Sequence, residues 1–194
     1  MICTNLNIDC SSLISALIGG GLALLGVIIA HCLTARKEEN NRKEEIRALV
    51  QSIKDEATTM WGIYMEGVGN RLEVHAEGEP FDVYFPVTQE YFTVYTSNAF
   101  RLGMIRNNEL RKNIIEAYSL GRSLIDTYRM NNELVRAYRN NLWLFQIANT
   151  QIYRDLAEAS KRDLITYSSS LKLRHNSFKE KVNGLIDSLN EYKI

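Results

Sequence analysis

The 194-residue chain is 45% hydrophobic and 24% charged, both near the averages of folded proteins, with 23 basic residues balancing 23 acidic ones. Its three cysteines, Cys3, Cys10 and Cys32, all precede residue 33. That placement excludes a disulfide framework for the rest of the chain, and the Cys3–Cys10 spacing excludes a CxxC redox pair.

Charge is unevenly spread. Residues 1–100 carry 7 Lys/Arg and 13 Asp/Glu, a net of −6, and residues 101–194 carry 16 and 10, a net of +6. Two readings fit: an anionic partner for the C-terminal half, or attraction between the halves within one oligomer.

The first element is apolar. Residues 13–33 form a 21-residue run without Asp, Glu, Lys or Arg. At about 1.5 Å per residue, a helix of this length crosses the roughly 30 Å hydrocarbon core of a bilayer. Only a helix hides its backbone polar groups there. A cleaved signal peptide would need a basic segment before the run and a small-residue cleavage site after it. Residues 1–12 hold no Lys or Arg, so an uncleaved anchor is expected over 12–35. Arg36, Lys37, Arg42 and Lys43 follow the run, and Asp9 is the sole charged side chain before it. The positive-inside rule then places residues 1–11 outside and the C-terminal part in the cytoplasm, the expected location being a bacterial inner membrane.

Ser12, Ala16, Gly19, Ala23, Gly26 and Ala30 recur at spacings of 4, 3, 4, 3 and 4, a seam of small side chains on one face. Such faces let helix backbones approach closely in lipid. Self-association through this seam is expected. Gly19 to Gly21 add a thin or pliable point, and His31 lies near the cytoplasmic end.

Mixed charges begin at Arg36, and apolar residues from Ile46 to Leu72 recur every three or four positions. This predicts an amphipathic linker helix over 36–75, continuous or nearly so with the anchor. Residues 76–88 hold both prolines, Pro80 and Pro86, and read as a loop, with Asp82–Phe85 a candidate short strand. A helical bundle is expected over 89–194. Thr88 is the expected N-cap of its first helix, with Tyr91 in the first turn. A break is expected near Leu102–Gly103, then a cap at Asn107–Asn108 and a helix burying Ile114, Ile115, Tyr118, Leu124 and Tyr128. A turn is expected at Asn131–Asn132. The next helix should bury Val135, Leu142, Ile152, Leu156 and Leu164. Ser168–Ser170 reads as a further break before a last helix carrying Phe178, Val182, Leu185 and Leu189. The fold class is therefore all-α, with a transmembrane helix continuing into a cytoplasmic bundle.

Enzyme motifs are missing: no HExxH, Walker loop or GxSxG occurs, and no Cys/His metal set. No catalytic residue, metal or cofactor is expected. His75 and His175 read as surface histidines. Arg174 and His175 are adjacent, which fails the Arg-x4–6-His spacing of helical defence nucleases. A binding pattern remains. Arg101, Arg106, Arg111, Lys112, Arg122, Arg129, Arg136 and Arg139 interleave with Tyr95, Tyr118, Tyr128 and Tyr138. Arginine grips phosphate bidentately and tyrosine stacks on bases, so a nucleotide or short oligonucleotide is the expected ligand. The competing reading has the tyrosines in a core and the arginines solvated.

The stretch Phe85-Pro-Val-Thr-Gln-Glu-Tyr-Phe-Thr-Val-Tyr95, then Leu102-Gly-Met-Ile-Arg106, Glu109-Leu110 and Ile114-Ile-Glu-Ala-Tyr118, resembles a loose pattern in small bacterial membrane proteins with one N-terminal span. The layout also resembles membrane effectors of antiphage systems: the Hailong-type channel effector, opened by an oligonucleotide-like signal, and the pore-forming accessory protein beside some RNA-targeting CRISPR nucleases. No binding residue is carried over from that likeness. It implies a homo-oligomer of about four or more copies forming a gated channel or pore. The alternative is a membrane-tethered interaction or phage-exclusion protein without a pore, and a divergent helical nuclease is a third, weaker option.

Overall fold

The computed structural model describes residues 10–87 and 90–192. The expected N-cap Thr88 and residues 1–9 lie outside the described residues, as do the side chains of Ser12 and Ala16. The fold is all-α: five α-helices, a π-turn and a 3-10 helix, with no strand among the described residues. The candidate strand over 82–85 is extended chain without a sheet.

Helix α1 runs Cys10–Tyr64. The chain divides into two compact units, residues 1–47 and 48–194. In the first, the apolar stretch of α1 is exposed along its length, with Leu17, Leu22, Leu24, Val27 and Ile28 each more than half exposed. One helix there is long and apolar enough to cross a membrane.

The second unit begins at Ala48, so the later turns of the expected linker helix belong to a core. Leu49, Val50, Ile53, Ala57 and Tyr64 of α1 are buried. A π-turn, Met65–Gly69, joins α1 to the short helix α2, Asn70–Glu73. A connecting segment leads to α3, Thr93–Asn98, a 3-10 helix, Ala99–Met104, and the two long helices α4, Asn108–Ala148, and α5, Gln151–Glu191. Tyr91 precedes α3 rather than sitting in its first turn.

Helices α4 and α5 form an antiparallel hairpin with a heptad seam. On α4 the buried residues include Leu110, Ile114, Ala117, Gly121, Leu124, Tyr128, Asn131 and Val135, alternating steps of four and three. On α5, Leu164, Ser168, Leu171, His175, Phe178, Val182, Leu185 and Leu189 do the same. That 3.5-residue repeat is the pattern of helices wound around each other. Gly121 permits a close approach: a Cβ there would stand 2.8 Å from Phe92 Cζ and 3.2 Å from Phe178 Cε2.

Several boundaries differ from expectation. Asn131 and Asn132 lie inside α4, buried, and Ser168–Ser170 lie inside α5. The hairpin turns instead at Asn149–Thr150, where Asn149 takes the left-handed conformation at φ 46° and its N–H reaches Phe145 O at 2.9 Å. Asn tolerates that conformation and ends helices for the same reason as glycine. Ile115, Ile152 and Leu156 are exposed rather than buried. The expected cap does form: Asn107 Oδ1 accepts the N–H groups of Glu109 and Leu110, each at 3.0 Å.

Candidate functional site

The basic pattern resolves into one face of α4 and several separate positions. Arg111, Arg122, Arg129 and Arg136 are spaced by 11, 7 and 7 residues, which puts them on one stripe at about 100° per residue. Arg101 belongs to the 3-10 helix, Arg106 is exposed ahead of α4, and Lys112 lies 3.6 Å from Glu116.

Three of the four, Arg111, Arg122 and Arg136, bond to the chain between α2 and α4. Arg111 donates to Ile105 O at 2.7 Å and to Asn108 Oδ1 at 2.6 Å. Arg122 donates to Thr96 Oγ1 at 3.0 Å and lies over the Tyr95 ring. Arg136 donates to the Tyr84 hydroxyl at 2.8 Å, lies over its ring and pairs with Glu133. Arg139 grips Asp82 through its carboxylate at 2.7 Å and its carbonyl at 3.1 Å. Arg129 pairs with Asp126 at 2.9 Å. Of the candidate residues, Arg122 and Arg129 share a groove of about 260 Å³ with Glu90, Tyr91, Phe92, Thr96, Ile125 and Asp126. This groove is where the sequence pattern and the geometry meet.

The tyrosines divide. Tyr118 is buried and stacks on Tyr95 with centroids 4.1 Å apart. Its hydroxyl donates to Glu56 Oε2 at 2.9 Å, and burial pushes its pKa up. Glu56 in turn accepts the N–H groups of Val94 and Tyr95 at the start of α3, at 2.6 and 3.0 Å. A carboxylate at a helix N-terminus satisfies unpaired donors and opposes the helix dipole. Tyr128 is fully buried, its pKa pushed up to about 12 by burial. Both are core side chains, unavailable for base stacking without rearrangement.

One cluster escaped the sequence reading. His175 is fully buried, not on the surface. Its Nδ1 lies 2.7 Å from the Tyr64 hydroxyl, and its Nε2 lies 3.4 Å from Glu73 Oε1, which Lys179 contacts at 2.6 Å. Tyr64 also meets the Tyr128 hydroxyl at 3.3 Å. Burial holds His175 below the usual histidine pKa, and the Lys179 hydrogen bond holds Glu73 below the usual carboxylate range. The available signal was position: His175 falls in the heptad series between Leu171 and Phe178.

In the apolar stretch of α1, a Cβ built on Gly19, Gly20, Gly21 or Gly26 meets nothing within 4 Å. That face is open. Among the described residues no group of three or more His, Cys, Asp or Glu could hold a metal ion. The chain matches no family model, no curated protein and no solved structure.

Proposed function

We propose that this chain is a single-span effector of the bacterial inner membrane, related in role to antiphage membrane effectors, that self-associates through α1 and opens an ion path on a signal to its cytoplasmic bundle. The open face at Gly19, Ala23, Gly26 and Ala30 carries this reading. Apart from Gly20 and Gly21, large apolar side chains dominate the rest of the stretch and are exposed. In lipid, helix association gains little from burying apolar surface and depends on close backbone packing, which small residues allow. A second copy of the same face supplies that contact.

The positive-inside rule supports placing the bundle in the cytoplasm. A nucleotide or short oligonucleotide signal would meet Arg122 and Arg129 in a groove that also holds Glu90 and Asp126, so the arginine–phosphate contact would have to displace the Arg129–Asp126 pair. Single-channel recording of the full chain in planar bilayers tests the proposal. Conductance that rises with an oligonucleotide, and falls in Arg122→Glu with Arg129→Glu, is expected. Silence under all conditions contradicts it.

A second reading, a tethered interaction protein without a pore, is favoured by the end of the α4–α5 hairpin. Trp143, Ile147, Ile152 and Leu156 are exposed there, an apolar surface of the kind that marks protein contacts. Light scattering in detergent separates the two, because a pore built from one span per chain needs about four copies or more.

A further inference from the structure

The groove of about 260 Å³ beside α4 continues into a second, apolar recess, and Tyr91, Phe92 and Ile125 are walls of both. The recess, about 40 Å³, lies between α1 and α4, where Met60, Ile63, Val87 and Leu124 line it beside the bare backbone of Gly121. Its two other tyrosines spend their hydroxyls elsewhere: Tyr64 meets His175 at 2.7 Å and Tyr128 at 3.3 Å. A polar group entering the recess would lose its bonds to water and find few in exchange. A nucleobase edge therefore does not suit it. Size points the same way. A cavity that admits benzene measures roughly 150 Å³, and a single water needs about 10–15 Å³. The recess has room for a few methyl-sized groups, which fits a branched aliphatic side chain.

The outer groove carries both signs of charge. Ile125, Asp126 and Arg129 follow Arg122 at i+3, i+4 and i+7, on one face of α4. Arg129 and Asp126 neutralise each other at 2.9 Å. Arg122 is held by Thr96 Oγ1 at 3.0 Å and by the Tyr95 ring, yet among the described residues it meets no carboxylate. One of its N–H donors is used, and a guanidinium has several to spare. Glu90, on another wall, is exposed and has no hydrogen bond or ion pair among the described residues. One unpaired cation and one unpaired anion thus line a single groove. A polyanion gains Arg122 but is repelled by Glu90 and Asp126, and a simple cation meets the reverse. A ligand carrying both charges satisfies both walls.

We propose that this groove binds a small zwitterion with a branched aliphatic side chain, the class of leucine, with its carboxylate on Arg122, its ammonium on Glu90 and its side chain in the apolar recess. Such a ligand binds whether or not the chain forms a pore, and it excludes a nucleotide from Arg122.

Isothermal titration of the full chain in detergent micelles with L-leucine tests this. Saturable binding is expected. N-acetyl-leucine lacks the cation, leucine amide lacks the anion and glycine lacks the side chain, so each should bind at least tenfold more weakly. Arg122→Gln and Glu90→Gln should each weaken leucine at least tenfold, the effect of losing one charge-assisted contact. Both positions are exposed, so both variants should melt with the parent chain. No saturable binding at millimolar leucine, an analogue that binds as tightly as leucine, or undiminished binding in either variant overturns the proposal. A dinucleotide that binds in place of leucine, and is lost in Arg122→Gln, assigns the groove to a nucleotide and overturns it too.

Discussion

Asn132 on α4 holds Phe85 of the connecting segment by both edges of its backbone: the Phe85 N–H donates to Asn132 Oδ1 at 3.0 Å, and Asn132 Nδ2 donates to Phe85 O at 2.7 Å. Its neighbours complete the attachment. Asn131 Nδ2 donates to Val83 O at 3.2 Å, and Ser168 Oγ on α5 accepts the Phe81 N–H at 2.9 Å. An extended segment packed on helices has no sheet partner, so its backbone groups need side-chain partners. Asn132→Leu removes two such bonds and strands half-buried backbone groups. It should cost about 2–4 kcal/mol of unfolding free energy, read by denaturant titration of the full chain in micelles.

Those same residues explain why the helix boundaries were misread. Asn131–Asn132 and Ser168–Ser170 carry the composition of turns, because Asn and Ser compete for backbone hydrogen bonds. Here Asn131, Asn132 and Ser168 bond sideways, toward residues 81–85, without leaving the helix. Nothing local in the sequence reveals a partner about fifty or ninety residues away. The true turn at Asn149–Thr150 rests on one left-handed asparagine with no glycine or proline beside it. The long apolar helix, the all-α class and the Asn107 cap were legible because each depends on local chemistry. The basic stripe was legible as composition, but its engagement with Tyr84 and Thr96, and that of Arg139 with Asp82, was not, for the same reason of distance along the chain.

Glycine positions give opposed predictions. Gly184 on α5 is exposed and a Cβ there meets open space. Gly184→Ala should stabilise the chain by about 0.5–1 kcal/mol through helix propensity. Gly121→Ala gains the same propensity but drives a Cβ against Phe92 and Phe178. Overpacking of about 1–3 kcal/mol outweighs that gain, so Gly121→Ala should destabilise. Paired thermal melts distinguish the two signs.

Glu56 links α1, α3 and α4 through Val94, Tyr95 and Tyr118. Glu56→Ala should cost about 2–3 kcal/mol, since the bonds from Val94, Tyr95 and Tyr118 and the longer one from the Thr93 hydroxyl are all lost. Glu56→Gln, which keeps an acceptor, should cost less. Raised amide exchange confined to residues 93–98 in the Gln variant would locate the effect at the α3 start.

The Glu116–Lys181 pair bridges α4 and α5 at 2.6 Å, and its hydrogen bond holds Glu116 below the usual carboxylate range. A carboxylate whose folded value is lowered contributes stability present above its unfolded value of about 4.5 and lost as pH falls through the folded one. Glu116→Gln should flatten the pH dependence of stability below pH 4.5 and leave it unchanged above pH 6.

The central claim is that identical copies meet through the small face of α1. Native mass measurement of the full chain in lipid nanodiscs tests it most directly. About four or more copies are expected for the parent chain, and single copies for the variant carrying Gly19→Leu, Ala23→Leu and Gly26→Leu. A monomeric parent chain, or an assembly that survives all three leucines, would contradict it.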